Sequence, residues 1–221
     1  MAADVEQEKR LAARAAAELV ESGMAVGLGT GSTAAYFVAA LAERALDIRC
    51  VATSPATEEA AVALGLRVEP FAGPGSLARL DLAVDGADQI APDGWVVKGG
   101  GGAHTREKIV AAAAERFVVI ASSDKLVERV RPPVPLELLE YGLTATLERL
   151  GSAELRDAPG TPDGGVIADW TGDADDPGEL AHRLESTPGV VDHGLFPPQL
   201  VSDVIVGRGD RAERLDYPSA V

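Results

Sequence analysis

One cysteine, Cys50, stands among the 221 residues. No internal disulfide can form, and every zinc motif built on several cysteines is excluded. Cys50 lies in the apolar run 48–51, which points to a buried, inert thiol rather than a nucleophile. Aromatic residues are scarce at 4%, so a core must be assembled mainly from Ala, Val, Leu and Ile. No stretch approaches the roughly 18 uninterrupted apolar residues of a membrane span. The opening MAADVEQEKR is acidic and lacks the basic start and apolar run of a signal peptide. These absences describe a soluble, cytoplasmic protein. Positive charge is also short: 20 Lys and Arg against 35 Asp and Glu leave a net charge of −15. Such a field repels nucleic acid and anionic lipid, so neither is an expected partner. Lysine is the rarer cation, with four (9, 98, 108, 125) against 16 arginines.

The chain does have enough apolar material for a sizeable core, at 46% hydrophobic residues, and enough length for a domain with a smaller companion. Helical periodicity runs over 5–22 with Gly23 in a C-cap position. An apolar run, 24–28, breaks into Gly29-Thr30-Gly31-Ser32-Thr33, and a second helix is expected over 33–45. Strands are expected at 47–53, 67–71, 80–84, 95–98 and 117–121, with helices at 55–65 (Ser54 as N-cap, Pro55 at N1) and 105–115. Short apolar strands alternating with helices are the pattern of an open parallel α/β sheet. The texture changes after Lys125, and Arg131-Pro132-Pro133-Val134-Pro135 marks a boundary. Beyond it come helices at 141–150 and 177–186, a hairpin-like segment through 162–165, and strands near 190–195 and 203–207. That order suggests a small α+β domain.

Three clusters fall at the C-terminal ends of expected strands, where open α/β sheets bind ligands. The segment Gly27-Leu28-Gly29-Thr30-Gly31-Ser32-Thr33 fails both the dinucleotide fingerprint, since its sixth position is Ser32, and the P-loop pattern, since no Lys precedes its hydroxyls. It reads either as a tight structural turn or as a cradle for one phosphate at a helix N-terminus. Asp85-Gly86-Ala87-Asp88 sets two carboxylates three residues apart, able to bind hydroxyls or pass a proton, or simply to form an Asp-Gly turn. The third cluster is Lys98-Gly99-Gly100-Gly101-Gly102-Ala103-His104-Thr105-Arg106-Glu107-Lys108. Four consecutive glycines are costly in chain entropy, and a close approach of backbone to ligand is the usual reason to keep them. Glu107 falls in the first turn of the next helix, where the dipole favours its ionised form. It is either a proton acceptor or a helix-capping acid. Three of the four lysines (98, 108, 125) lie in or just after these clusters, and a compact ammonium is something Arg cannot imitate. The histidines (104, 182, 193) show no metal spacing, and no metal is expected; His104 can line a pocket, whereas 182 and 193 read as surface or structural.

Together these segments resemble ribose-5-phosphate isomerase of the A type, over nearly the whole chain. The resemblance runs through Lys9, the GTGST turn, DGAD at 85–88, KGGGGA and TREK between 98 and 108, Ser123-Asp124-Lys125, and PGVVDHGLF at 188–196. One departure is His104, where the family usually has Leu. The resemblance implies an aldose–ketose isomerase acting on a sugar phosphate without a cofactor. Glu107 would be the general base, Lys98 with backbone N–H groups of the glycine loop the oxyanion stabiliser, Asp85 the ring-opening group and Asp88 the positioner of hydroxyls, with Gly99 and Gly100 among the substrate-binding residues. Thr30, Gly31, Ser32 and Thr33, with Lys9 and Lys125, would take the phosphate end. It also implies a Rossmann-like three-layer domain with a mostly parallel sheet (1–129 and 203–221), a smaller inserted α+β domain (130–202), and a homodimer or homotetramer.

A sugar-phosphate-sensing module of a repressor, or a deaminase or CoA transferase of the same fold group, would be the rival readings. The first needs a DNA-binding segment, and only about 23 residues precede the first strand. The others are not expected to combine DGAD with KGGGGA and TREK. The acid excess with scarce Lys also resembles proteins of salt-rich cytoplasm.

Overall fold

The computed structural model describes residues 4–215. Along the chain the elements are α1 (Val5–Ala17), β1 (Ala25–Leu28), α2 (Ser32–Glu43), β2 (Arg49–Ala52), α3 (Pro55–Ala63), β3 (Leu82–Asp85), β4 (Gln89–Ile90), β5 (Val96–Val97), α4 (His104–Ala113) and β6 (Phe117–Ser122). After a 3₁₀ turn at Ser123–Lys125 come β7 (Val134–Leu139), α5 (Leu143–Leu150), β8 (Ala153–Leu155), β9 (Gly165–Trp170), α6 (Pro177–Glu185), β10 (Val190–His193), β11 (Leu195–Phe196), β12 (Asp203–Arg208) and β13 (Arg211–Leu215). No described helix is long and apolar enough to cross a membrane.

The described residues divide into two compact units, one of residues 4–87, 106–125 and 199–215, the other of 88–105 and 126–198. The boundaries expected from the sequence lie at 129/130 and 202/203, the last few residues of the first domain (216–221) falling outside the described residues. The main difference is the segment 88–105: its strands β4 and β5 form an antiparallel sheet with β11, in the order β11-β5-β4. Two-residue strands carry no periodicity, so this attachment has no signal in the sequence.

In the first unit, six strands lie in the order β13-β12-β6-β3-β1-β2. All neighbours are parallel except β12 and β13. The fold is therefore α/β with a mostly parallel sheet. Along β1, Val26 and Leu28 join α1, α2 and the apolar residues of β3 and β6 in one core cluster. Gly27, on the opposite face, has Val110 of α4 and Ala83 where a Cβ would be. Helices thus cover both faces, as a buried parallel sheet requires. Helix α1 is tied down by alanines (12, 13, 16, 17), all buried, which lets it lie close to α2, β6 and β12. Strand order reverses at β1: β2 lies on one side and β3 on the other. The C-terminal ends of β1 and β3 flank this switch point, where such sheets open a crevice.

The second unit adds a four-stranded antiparallel sheet, β10-β7-β9-β8, with α5 and α6. Its core gathers Val134, Leu136, Leu138, Ala168, Trp170, Leu180, Leu184 and Leu195. The proline-rich stretch read as a boundary runs into strand β7, with Pro135 in the ladder opposite Asp169. Pro135 is tolerated because its carbonyl accepts from Gly194 N–H at 2.7 Å on the side where β10 has already ended. Its missing donor therefore breaks no ladder bond there. Conversely, the strand expected at 67–71 reduces to a single bridge, Cys50 to Val68. The other expected helices and strands have counterparts close by, with α1 ending earlier, at Ala17, whereas β4, β8, β9 and β13 have no counterpart among the expected strands; Ser54 caps α3 through Thr57 N–H at 3.2 Å.

Candidate active site

The first unit carries the turn 29–33, Asp85, Glu107, Lys9 and Lys125. Gly29 follows β1 directly, and its N–H bonds to Val84 O of β3 at 2.9 Å. A Cβ on Gly29 would lie 2.1 Å from the Asp85 carboxyl, so only glycine lets Asp85 sit across the switch point. Asp85 is 2% exposed. Its Oδ1 accepts from Thr30 N–H at 3.1 Å and Gly86 N–H at 2.7 Å. Both donors fix its rotamer.

The turn then opens α2. Gly31 is the N-cap and supplies no side-chain cap, and the first turn of α2 holds no acid. The helix's first N–H groups and the exposed Ser32 therefore face a place suited to an anion. Thr33 is buried. Thr30 is turned the other way: its Oγ1 meets Thr53 Oγ1 at 2.7 Å, Ser54 Oγ at 2.9 Å and Thr57 Oγ1 at 3.2 Å. Thr57 Oγ1 in turn donates to Gly29 O at 3.0 Å. This hydroxyl cluster joins the ends of β1 and β2 and stiffens the turn from below. Thr53, Ser54 and Thr57 carry no recognisable motif; their signal is only a run of hydroxyls after a strand.

Glu107 lies in the first turn of α4 and is 5% exposed. A carboxylate there is stabilised by the helix's N-terminal partial charge and shielded from water, which suits a positioned base. Lys9 rests on Glu6 at 2.7 Å and Lys125 on Asp124 at 3.9 Å. The Lys125 turn is anchored by a residue the sequence reading did not single out. Glu8 is 1% exposed and accepts from Ser123 N–H (2.9 Å), Ser123 Oγ–H (2.7 Å) and Gly209 N–H (2.8 Å). Burial by itself would raise its pKa. The Gly209 and Ser123 hydrogen bonds outweigh that and hold the carboxyl below its ordinary range.

The second unit carries Asp88, Lys98 and the glycine loop 99–102. Asp88 and Asp85, three residues apart in sequence, have opposite surroundings: Asp88 is exposed, and its Oδ2 accepts from Gly100 N–H at 2.7 Å. Lys98 is 2% exposed. Its N–H bonds to Gly194 O at 2.9 Å, and its ammonium lies 5.6 Å from the centre of the Phe196 ring. The DHGLF segment thus packs directly against the lysine. Gly99 has φ +104°, and a Cβ there would meet the His104 ring at 2.6 Å and Pro135 at 2.8 Å. His104, fully buried, therefore packs beneath the loop. The other loop neighbour is Arg156, from the segment after β8, which no sequence motif flagged. Its Nη1 donates to Gly99 O and Gly100 O, both at 3.0 Å.

The residues outside these clusters are structural. Cys50 is buried, and burial pushes its thiol up to about 12, so it is protonated at neutral pH. His193 is buried, with Nδ1 accepting from Leu195 N–H at 3.2 Å; His182 is on the exposed side of α6.

Comparison with known proteins agrees on one family. The family model of ribose 5-phosphate isomerase A (phosphoriboisomerase A) matches residues 49–211. A ribose-5-phosphate isomerase A of Caulobacter vibrioides is 46% identical over 97% of this chain and 99% of its own. The crystal structure of ribose 5 phosphate isomerase A from Neisseria gonorrhoeae superposes with a TM-score of 0.89, at 33% identity and 96% coverage of both chains. A D-ribose-5-phosphate isomerase in complex with phospho-erythronic acid gives a TM-score of 0.89 at 34% identity, covering 97% of this chain and all of that one (100%).

Proposed function

The chain belongs to the ribose 5-phosphate isomerase A family, and from that premise we propose how its residues interconvert D-ribose 5-phosphate and D-ribulose 5-phosphate. It is an aldose–ketose isomerase of the pentose phosphate pathway. The reading of its site is carried by Glu107, a buried carboxylate in the first turn of α4.

The reaction needs a furanose ring opened, a proton moved between adjacent carbons, and a negative oxygen sheltered meanwhile. Asp85, its Oδ1 held by two backbone N–H groups, exchanges the proton between ring oxygen and anomeric hydroxyl. Glu107 then takes the C2 proton of the open aldehyde. The C2–H bond breaks, its electrons form the C1–C2 double bond, and the negative charge moves to O1. Lys98 and the loop's backbone N–H groups stabilise that oxyanion. The O2 proton passes to O1 as the C2 carbonyl forms, and return of the proton from Glu107 to C1 yields the ketose. Asp88 orients sugar hydroxyls. The N-terminus of α2, with Gly31, Ser32 and Thr33, takes the phosphate, and Lys9 and Lys125 supply charge that a chain of net −15 otherwise lacks. Thr30 serves that site by bracing the turn.

The substrate is a small sugar phosphate, and the setting is the cytoplasm. A homodimer or homotetramer is part of this reading; sedimentation of a 22.8 kDa monomer at micromolar concentration would remove it. The test of the activity is direct. Purified, chelator-treated protein should form ribulose 5-phosphate from ribose 5-phosphate, and no turnover under those conditions would overturn the reading.

A further inference from the structure

We propose that Arg156 is a positioning residue for the isomerisation: it fixes the peptide planes of the glycine loop so that the Gly101 N–H is presented to the developing oxyanion. The proposal rests on the isomerase reading and adds a residue to it.

Arg156 is held before it holds anything. Its Nε donates to Asp169 Oδ2 at 3.0 Å and its Nη2 to Asp169 Oδ1 at 2.5 Å. This two-point pairing fixes the guanidinium plane. Asp169 lies on β9, between β7 and β8, so the anchor belongs to the middle of a sheet. The pair is mostly buried, with side chains 23% and 21% exposed, and so is less weakened by solvent than a surface ion pair.

The remaining nitrogen, Nη1, points at two successive loop carbonyls, Gly99 O and Gly100 O. A trans peptide is planar, with N–H and C=O on opposite sides. Fixing two carbonyls therefore fixes two N–H groups, those of Gly100 and Gly101, away from Arg156. The first of these is taken by Asp88 Oδ2 at 2.7 Å, so the Gly99–Gly100 peptide is clamped at both ends. Gly102 N–H is used within the loop, on Gly99 O at 3.0 Å. Gly101 differs from both: a Cβ built on it would find open space within 4 Å, whereas one on Gly100 would meet Asp88 and one on Gly102 would meet Ile167. The Cβ side of Gly101 is thus open to an approaching substrate. A glycine run without side chains cannot hold such an orientation alone, since its own conformational entropy works against it. A fixed donor aimed at its carbonyls removes that freedom before substrate arrives, as oxyanion stabilisation requires.

Because Arg156 acts on an N–H used most strongly when charge develops, removing it should lower kcat rather than raise KM. For Arg156→Met, ribulose 5-phosphate formation should show kcat down about 10- to 100-fold, with KM within about threefold of wild type. Binding of a four-carbon aldonic acid phosphate, whose carboxylate imitates the enediolate, should weaken in parallel with kcat. A rise in KM without loss of kcat, or unchanged affinity for the acid, would overturn the proposal. Asp169→Asn keeps the arginine and the shape of its anchor but weakens the pairing; it should lower kcat by about 3- to 10-fold in the same pattern. Full wild-type kcat in Asp169→Asn overturns the proposal even if Arg156→Met does not fold. Wild-type turnover in the same assay tests the isomerase reading separately, so failure of one is distinguishable from failure of the other.

Discussion

The turn 29–33 and the loop 99–102 are both glycine-rich segments that follow short strands, but they are held by different means. The first is braced by its own sheet: Gly29 bonds to β3, and the Thr30 hydroxyl is locked among Thr53, Ser54 and Thr57 at the end of the neighbouring strand. The second is tied locally to Asp88 through Gly100 N–H and is held in addition by an ion pair on another sheet, through Arg156 and Asp169. A phosphate cradle can be rigid by default, because a helix N-terminus and a parallel sheet already fix it. An oxyanion site must present N–H groups at one particular angle, and here a distant guanidinium sets that angle.

Substituting alanine for single glycines separates the two cases. Gly29→Ala drives a Cβ into the Asp85 carboxyl and backbone. It should cost about 3 kcal/mol of stability and lower kcat/KM roughly 100- to 1,000-fold. Gly99→Ala adds a Cβ at φ +104° against the His104 ring; kcat should drop about 10- to 100-fold with a smaller loss of stability. Gly101→Ala meets no protein atom within 4 Å and should leave stability unchanged, while the methyl beside the substrate oxygen lowers kcat by about 3- to 10-fold. Steady-state kinetics with thermal unfolding check the series, and a Gly101→Ala defect as large as that of Gly99→Ala would break the comparison.

Glu8 sharpens the first half of it. Three donors from two loops end on its buried carboxylate, so Glu8→Gln should cost roughly 2–4 kcal/mol at pH 7 and raise KM more than it lowers kcat, through the Lys125 turn. The sign with pH follows from the depressed pKa. Stability from Glu8 is fully present above the ordinary glutamate value of about 4.3 and is lost as pH falls through that value toward the depressed one. The gap between wild type and Glu8→Gln should therefore be constant from pH 7 to about 5 and shrink below about 4, read by denaturant titration. A gap that widens on acidification would contradict this account. The smallest effect concerns the surface. With a net charge of −15, self-repulsion is relieved by salt, and we propose that the protein suits a salt-rich cytoplasm. Its thermal midpoint should rise by several degrees between low and molar KCl, and a flat or falling midpoint would argue against that.

How much of this was legible in the sequence depends on where each partner lies along the chain. Helix α3 is written in Ser54-Pro55, and the parallel strands in apolar runs whose ends carry glycine or aspartate. Asp85, Lys98 and Glu107 stand in dense local motifs, which makes them candidates in the sequence, with their roles implied by the family resemblance. Arg156 does not stand in one: its loop partners are 56 and 57 residues away, and it looks like any exposed arginine after a short strand. Glu8 reaches 115 residues to Ser123 and 201 to Gly209, with nothing in its helix to mark it. Pro135 concealed β7 because proline argues against a strand interior unless the neighbouring strand has ended, a fact of register that no local pattern contains. The opposite fates of Asp85 and Asp88, one buried and one exposed, were invisible for the same reason.

The account stands most directly on proton transfer at Glu107. In deuterated buffer, wild-type protein should exchange the C2 hydrogen of ribose 5-phosphate for deuterium as it forms ribulose 5-phosphate. Glu107→Gln should bind the sugar phosphate within about threefold of wild type while both exchange and isomerisation fall by about 1,000-fold or more. Exchange near the wild-type rate in Glu107→Gln would contradict the assignment of the base and, with it, the site described above.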